Sequence, residues 1–242
     1  MGSLSTAGVV TAMTVPSVDM TGDHDPTTGP TLLTLTTADG VSLEAQWSPP
    51  AGHDDPVAAV VLAHPHPAHG GNMTSLVTSE LFGSLPQRRC AVLRFNFRGV
   101  GTSTGEHGGG EPERLDVSAA VAAMADLTGD VPLVLAGWSF GADVSLAVVD
   151  PAITGWFAVA PPLRILSAEQ LLAAHDQRPK HLAIPEHDEF NPPETCAPKV
   201  ADWHNTTLEV MAGADHYLVG RTGKLTDALV GFAESLRWRN QG

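Results

Sequence analysis

Three residue types that together perform acyl transfer stand in this chain, each just beyond an apolar run. Ser139 lies in Gly137-Trp138-Ser139-Phe140-Gly141, directly after the apolar residues 131–136. A strand that passes at once into a helix through Gly-x-Ser-x-Gly places its serine on a sharp turn. Glycine is needed on both sides because a side chain there would crowd the crossing. Such a turn would lift the hydroxyl over the carboxyl end of a sheet, where a substrate can reach it. A serine keeps its proton at neutral pH, so it needs an imidazole to take the proton and a carboxylate to orient the imidazole. His216 follows the apolar residues 208–211, where such a base belongs, and this position sets it apart from most of the 11 histidines. Residues 182–184 lead into Pro185-Glu186-His187-Asp188-Glu189, which offers three acids. Asp188 is the first choice and Glu186 the second.

A tetrahedral oxyanion would need two backbone N–H donors. The amide of Phe140, just after the serine, is one. The other should come from the loop after residues 57–63, which reads His64-Pro65-His66-Pro67-Ala68-His69-Gly70-Gly71-Asn72-Met73. Pro65 and Pro67 have no amide hydrogen, so His66 is the natural donor, held rigid from both sides.

Other chemistries compete. His64, His66 and His69 could form part of a metal site and support a metal-dependent hydrolase, but only with a carboxylate and further histidines from other loops. No metal is expected. Gly99-Val100-Gly101-Thr102-Ser103-Thr104-Gly105 imitates a dinucleotide fingerprint, yet it lacks the third glycine in place and Glu106 to Pro112 cannot open a helix at once. No cofactor is therefore expected, and the segment reads as a flexible loop beside the site, anchored by Arg98. A non-catalytic ligand-binding protein on the same scaffold is the remaining alternative.

The elements that would position these residues are legible as a pattern. Short unbroken apolar runs at 57–63, 90–97, 131–136, 156–160, 182–184 and 208–211 suit strands buried on both faces of a parallel sheet. Helical segments fall between them at 75–85, 113–127, 140–149, 168–175 and 225–237, with a short turn near 196–203. In the second of these, Leu115, Ala119, Ala122, Ala123 and Leu127 share one face. Ahead of the runs, alternation around Ala38-Asp39-Gly40 predicts a β-hairpin. Alternating strand and helix give an α/β fold, a mostly parallel doubly wound sheet of about eight strands with sites at its carboxyl edge. About 20 residues join the run ending near 160 to the next, enough for a helix and its links but not for a large lid. Residues 1–30, rich in Thr, Gly, Ser and Pro, read as a flexible leader, and 31–242 as one domain.

Composition limits the partners. Thirteen Lys and Arg against 27 Asp and Glu give a formal net charge of −14, which argues against nucleic acid because no cationic excess exists to displace counterions. Two cysteines are too few for a disulfide scaffold, and no apolar run reaches membrane-spanning length, so a cytoplasmic protein acting on a small molecule is expected. The charge disfavours anionic substrates unless basic residues near the site offset it. The oligomeric state is not readable.

Taken together, His64 to Met73, Leu93-Arg94-Phe95-Asn96-Phe97-Arg98-Gly99 and on to Gly105, Gly137 to Gly141, and Gly213-Ala214-Asp215-His216 resemble the small lidless group of the α/β-hydrolase superfamily. The resemblance runs from about residue 32 to 237. It implies a Ser139, Asp188, His216 triad, in the chain order that superfamily uses. It also implies a serine hydrolase of carboxylesterase type, acting on carboxylic esters or thioesters, without naming the acyl chain or the alcohol. The chain departs from the group where Glu186-His187 stand before Asp188 in place of a His-Gly pair.

Overall fold

The computed structural model describes residues 18–19, 29–52 and 55–239. Its centre is a sheet of nine strands: β1 (Val18–Asp19), β2 (Thr31–Thr36), β3 (Ser42–Ser48), β4 (Ala58–Ala63), β5 (Cys90–Phe95), β6 (Leu133–Trp138), β7 (Ile153–Val159), β8 (Lys180–His187) and β9 (Thr206–Asp215). Their spatial order is β1-β2-β3-β5-β4-β6-β7-β8-β9. From β5 to β9 every neighbour is parallel, whereas β1, β2 and β3 form an antiparallel flank. The expected hairpin is β2 and β3. The expected leader lies outside the described residues except for β1, which pairs with Leu35 and Thr34, and for Gly29 and Pro30.

Unbroken apolar runs arise because both faces of the sheet are covered. Side chains alternate across a pleat, and here the two members of each adjacent pair enter different cores. Val61, Leu93, Leu135 and Trp156 pack beneath α2 (Glu113–Thr128) and α3 (Phe140–Leu146). Val60, Val92, Val134 and Phe157 pack on the other face with α1 (Leu76–Ser84) and α5 (Thr222–Arg239). Cys90 and Cys196 are free, buried thiols. Edge strand β9 buries only Met211 and Ala214, consistent with having one neighbour.

Three local expectations change. Residues 168–175 form two separate 3₁₀ turns, Ala168–Gln170 and Leu172–His175, because Leu171 between them has ψ 70° and leaves the helical region. In α2 Ala119 and Ala123 are buried as expected, but the buried face centres on Val117, Ala120, Val121 and Met124, while Leu115, Ala122 and Leu127 are half-buried. An alanine-rich helix carries apolar residues on more than one face, so the pattern alone misplaces the stripe. Downstream, α4 (Pro193–Val200) starts on its own proline, ahead of the expected turn. No helix among the described residues is long and apolar enough to cross a membrane.

Candidate active site

Ser139 sits between the end of β6 and the start of α3 with φ 55° and ψ −117°, a backbone state that non-glycine residues rarely adopt. Its amide donates to the Val159 carbonyl at 2.9 Å, and its carbonyl accepts from Ala142 at 2.9 Å. Neither flanking glycine could carry a side chain. A Cβ on Gly137 would stand 2.3 Å from the Gly141 carbonyl oxygen, and one on Gly141 would stand 2.4 Å from that of Ala63. The close crossing expected from the sequence is therefore present, and the serine side chain is left half-buried at the carboxyl edge.

Two further loops meet that hydroxyl. His216, at the turn after β9, brings Nε2 to 3.0 Å from Ser139 Oγ and Nδ1 to 2.9 Å from Asp188 Oδ2. Asp188 is buried, and its other oxygen accepts the amides of Phe190 and Asn191 at 2.8 and 3.1 Å. Burial pushes the Asp188 carboxyl upward, but the His216 hydrogen bond and those two amides more than offset it, so its pKa lies below the ordinary value. Glu186, the second choice, points elsewhere: its Oε2 accepts the Gly213 amide at 2.7 Å. The Trp138 indole N–H donates to the His216 carbonyl at 3.1 Å, and the Phe190 ring lies edge-on to the imidazole with centroids 4.5 Å apart.

The His66 and Phe140 side chains are neighbours, their ring centroids 4.8 Å apart. Among the described residues neither backbone amide donates to a protein acceptor. The three loop histidines, by contrast, do not act as a set. His64 is buried with Nδ1 donating to the Pro65 carbonyl at 2.7 Å and Nε2 accepting the Phe97 amide at 3.0 Å, so both nitrogens are occupied. Its burial lowers its pKa to about 4, which keeps the ring neutral. Among the described residues no group of three potential ligands is arranged to hold a metal ion.

Arg98 anchors the glycine-rich loop as expected, through Asp116 at 2.7 Å and Asp39 at 2.9 Å. Two other anchors carry no sequence signal of their own. Glu113, fully buried at the start of α2, accepts the amides of Gly108 and Gly110 at 2.7 Å and faces His107 Nδ1 at 2.8 Å. Asp143, fully buried in α3, accepts the amides of Leu163, Arg164 and Ile165, each at 3.0 Å. Burial raises the Asp143 pKa to about 6 despite those three donors. Each acid ties a mobile-looking loop to a helix beside Ser139. Among the described residues no lid covers the site, the connection from β7 to β8 containing only the two 3₁₀ turns.

Comparison with known proteins agrees with this architecture. The family model described as an alpha/beta hydrolase domain matches residues 56–229. An uncharacterized protein of Rickettsia prowazekii is 32% identical over 127 residues, which is 51% of this chain and 52% of that protein, so the match spans about half the relative. An alpha-beta serine hydrolase homologue from Coxiella burnetii is 29% identical with a TM-score of 0.71, over 82% of this chain and 95% of that one. A serine hydrolase without lid from Xanthomonas campestris is 26% identical with a TM-score of 0.74, over 87% and 95%. A Pyrococcus furiosus esterase, at 18% identity and a TM-score of 0.71 over 88% and 96%, shares the fold. By the family match over residues 56–229, the chain belongs to the alpha/beta hydrolase domain family.

Proposed function

We propose that the chain is a serine hydrolase of carboxylesterase type, cleaving carboxylic esters or thioesters through an acyl-enzyme on Ser139. The observation that carries this reading is the unbroken series from Asp188 Oδ2 through His216 to Ser139 Oγ, with links of 2.9 and 3.0 Å. With Nδ1–H donating to Asp188, the imidazole presents a bare Nε2 to the hydroxyl. His216 removes the Ser139 proton as Oγ attacks the carbonyl carbon. The resulting oxyanion is held by the free amides of Phe140 and His66, each such donor being worth roughly 3 kcal/mol in the transition state. As the tetrahedral species collapses, His216 returns the proton to the leaving alkoxide or thiolate. Water then repeats the sequence on the acyl-enzyme and frees the acid. Asp188 remains ionised throughout, and its charge stabilises the imidazolium.

Ser139→Ala should abolish turnover of a chromogenic ester while the melting temperature stays within a few degrees of the parent. A fluorophosphonate probe should label the parent at Ser139 and leave the variant unlabelled. Turnover near the parent's in the variant would refute the nucleophile.

A further inference from the structure

The geometry points to Arg164 as a specificity residue that draws an anionic group of the substrate, a carboxylate held a few bonds from the scissile carbonyl. The inference rests on the esterase reading above and names its substrate class. Arg164 is exposed, and its Cζ stands 5.6 Å from the centroid of Phe190. Phe190 in turn lies 4.5 Å from the His216 ring, so the guanidinium carbon is at most about 10 Å from the imidazole centroid. A charged hydrogen bond takes up about 3 Å of that. What remains, at most roughly 7 Å to the imidazole that serves the scissile carbonyl, sets the scale of the spacer at about six single bonds.

Two observations separate this arginine from an ordinary surface cation. The first is its lack of a partner. Arg88, Arg98, Arg114 and Arg178 each face a carboxylate, and Arg94 and Arg221 donate to neutral oxygens, in a chain with twice as many acids as bases. Among the described residues the Arg164 guanidinium has only the Phe190 ring, and exposed Glu189, next to that ring, forms no ion pair with it. The second is how firmly its backbone is placed. The Arg164 amide is the middle of three that Asp143 accepts, and Leu163 before it is held at φ 49°. Asn191 fastens the same loop to the Asp188 loop, donating from Nδ2 to the Pro161 carbonyl at 2.9 Å and from its backbone to Asp188 at 3.1 Å. A rigid base therefore holds an unsatisfied cation beside Phe190, the ring that flanks the His216 imidazole. It also offsets, where a substrate enters, the negative field of the rest of the chain.

The anion could sit on the acyl or on the alcohol side, and matched probes separate the two. On the acyl side the pair is the para-nitrophenyl monoester of adipate against para-nitrophenyl hexanoate. On the alcohol side it is the butyrate ester of para-hydroxybenzoate against that of para-hydroxybenzamide. The readout is the ratio of kcat/KM, charged over neutral, within each enzyme. In the parent this ratio should exceed one for at least one pair and should fall as salt is raised. Arg164→Gln should lower it about three- to fivefold, the range of an exposed ion pair. Arg164→Glu should lower it further, and Arg164→Lys should keep it within about twofold. A ratio indifferent to Arg164→Glu and to salt, with the neutral esters cleaved and Ser139 labelled, would overturn this inference alone. Failure of the parent to cleave any of the four esters or to take the fluorophosphonate label would overturn the esterase reading, and this inference with it.

Discussion

Replacing Gly141 by alanine tests whether the crossing of α3 with the loop after β4 builds the oxyanion site. A Cβ at this position would lie 2.4 Å from the Ala63 carbonyl oxygen and 2.5 Å from that of His64. Ordinary contact begins near 3.4 Å, so α3 and the end of β4 must separate by about 1 Å. The shift cannot be taken by β4 itself, because Ala63 is held in the parallel ladder opposite Gly137. It must be taken by α3, which begins at the first proposed donor, Phe140, and by the residues that follow β4, His64 to His66, the last of which carries the second. Misplacing a transition-state contact by that distance costs on the order of 10²-fold in rate. Overpacking costs about 1–3 kcal/mol of stability, which for a chain of this size lowers Tm by roughly 2–12 °C. The assay pairs ester turnover with thermal unfolding. The expected result is a stable protein with kcat down about 100-fold and with the Ser139–His216 contact intact. A variant whose Tm falls while kcat stays within about threefold would refute the assignment of the Phe140 and His66 amides as the oxyanion donors. An unchanged Tm would refute the close crossing itself.

The acid and the buried histidine give two further tests. Asp188→Asn should reduce kcat about 10³- to 10⁴-fold, because an amide donates where the carboxylate accepted and so forces the His216 proton onto Nε2, facing the serine. Glu186→Gln should stay within about threefold, since the glutamine can still accept the Gly213 amide, and parity between the two variants would reverse the choice of acid. His64 should make the chain acid-sensitive. Its pKa is near 4 folded and 6.5 unfolded, so the unfolded chain takes up a proton first as the pH falls. Its contribution is therefore full above 6.5, is lost between 6.5 and 4, and amounts to roughly 3 kcal/mol. In urea titrations the stability gap between the parent and His64→Gln should narrow by about 2–3 kcal/mol from pH 7 to pH 4.5. A gap independent of pH would show that the imidazole does not titrate in this way.

What the sequence reveals of such a site depends on the range of the interaction. The parallel sheet was legible because burial on both faces writes itself as contiguous apolar residues, and each strand reports its own burial without reference to its neighbours. Ser139 was legible for a similar reason: two glycines are demanded within two residues of it, where the backbone of Gly141 meets that of Ala63. His216 and Asp188 needed one further premise, that loops at the same edge of one sheet converge. That premise narrows the acid to a loop but not to a residue. Glu186 and Asp188 are separated by the direction each side chain takes after the register shift between Pro185 and His187, where the pairing of β8 with β9 becomes irregular.

Glu113 and Asp143 escaped for the opposite reason. An acid in the first turn of a helix ordinarily faces solvent and complements the helix dipole, and nothing within a few residues says otherwise. Their true partners are loop amides: Gly108 and Gly110 for Glu113, and Leu163 to Ile165, some 20 residues downstream, for Asp143. A buried carboxylate is tolerable only where several donors converge on it, and convergence of main-chain amides leaves no trace in residue identity, since every residue but proline has one. The two acids that turn floppy-looking segments into fixed walls around Ser139 are therefore visible only in three dimensions. The same holds for Arg164, whose significance lies in the carboxylate it does not have.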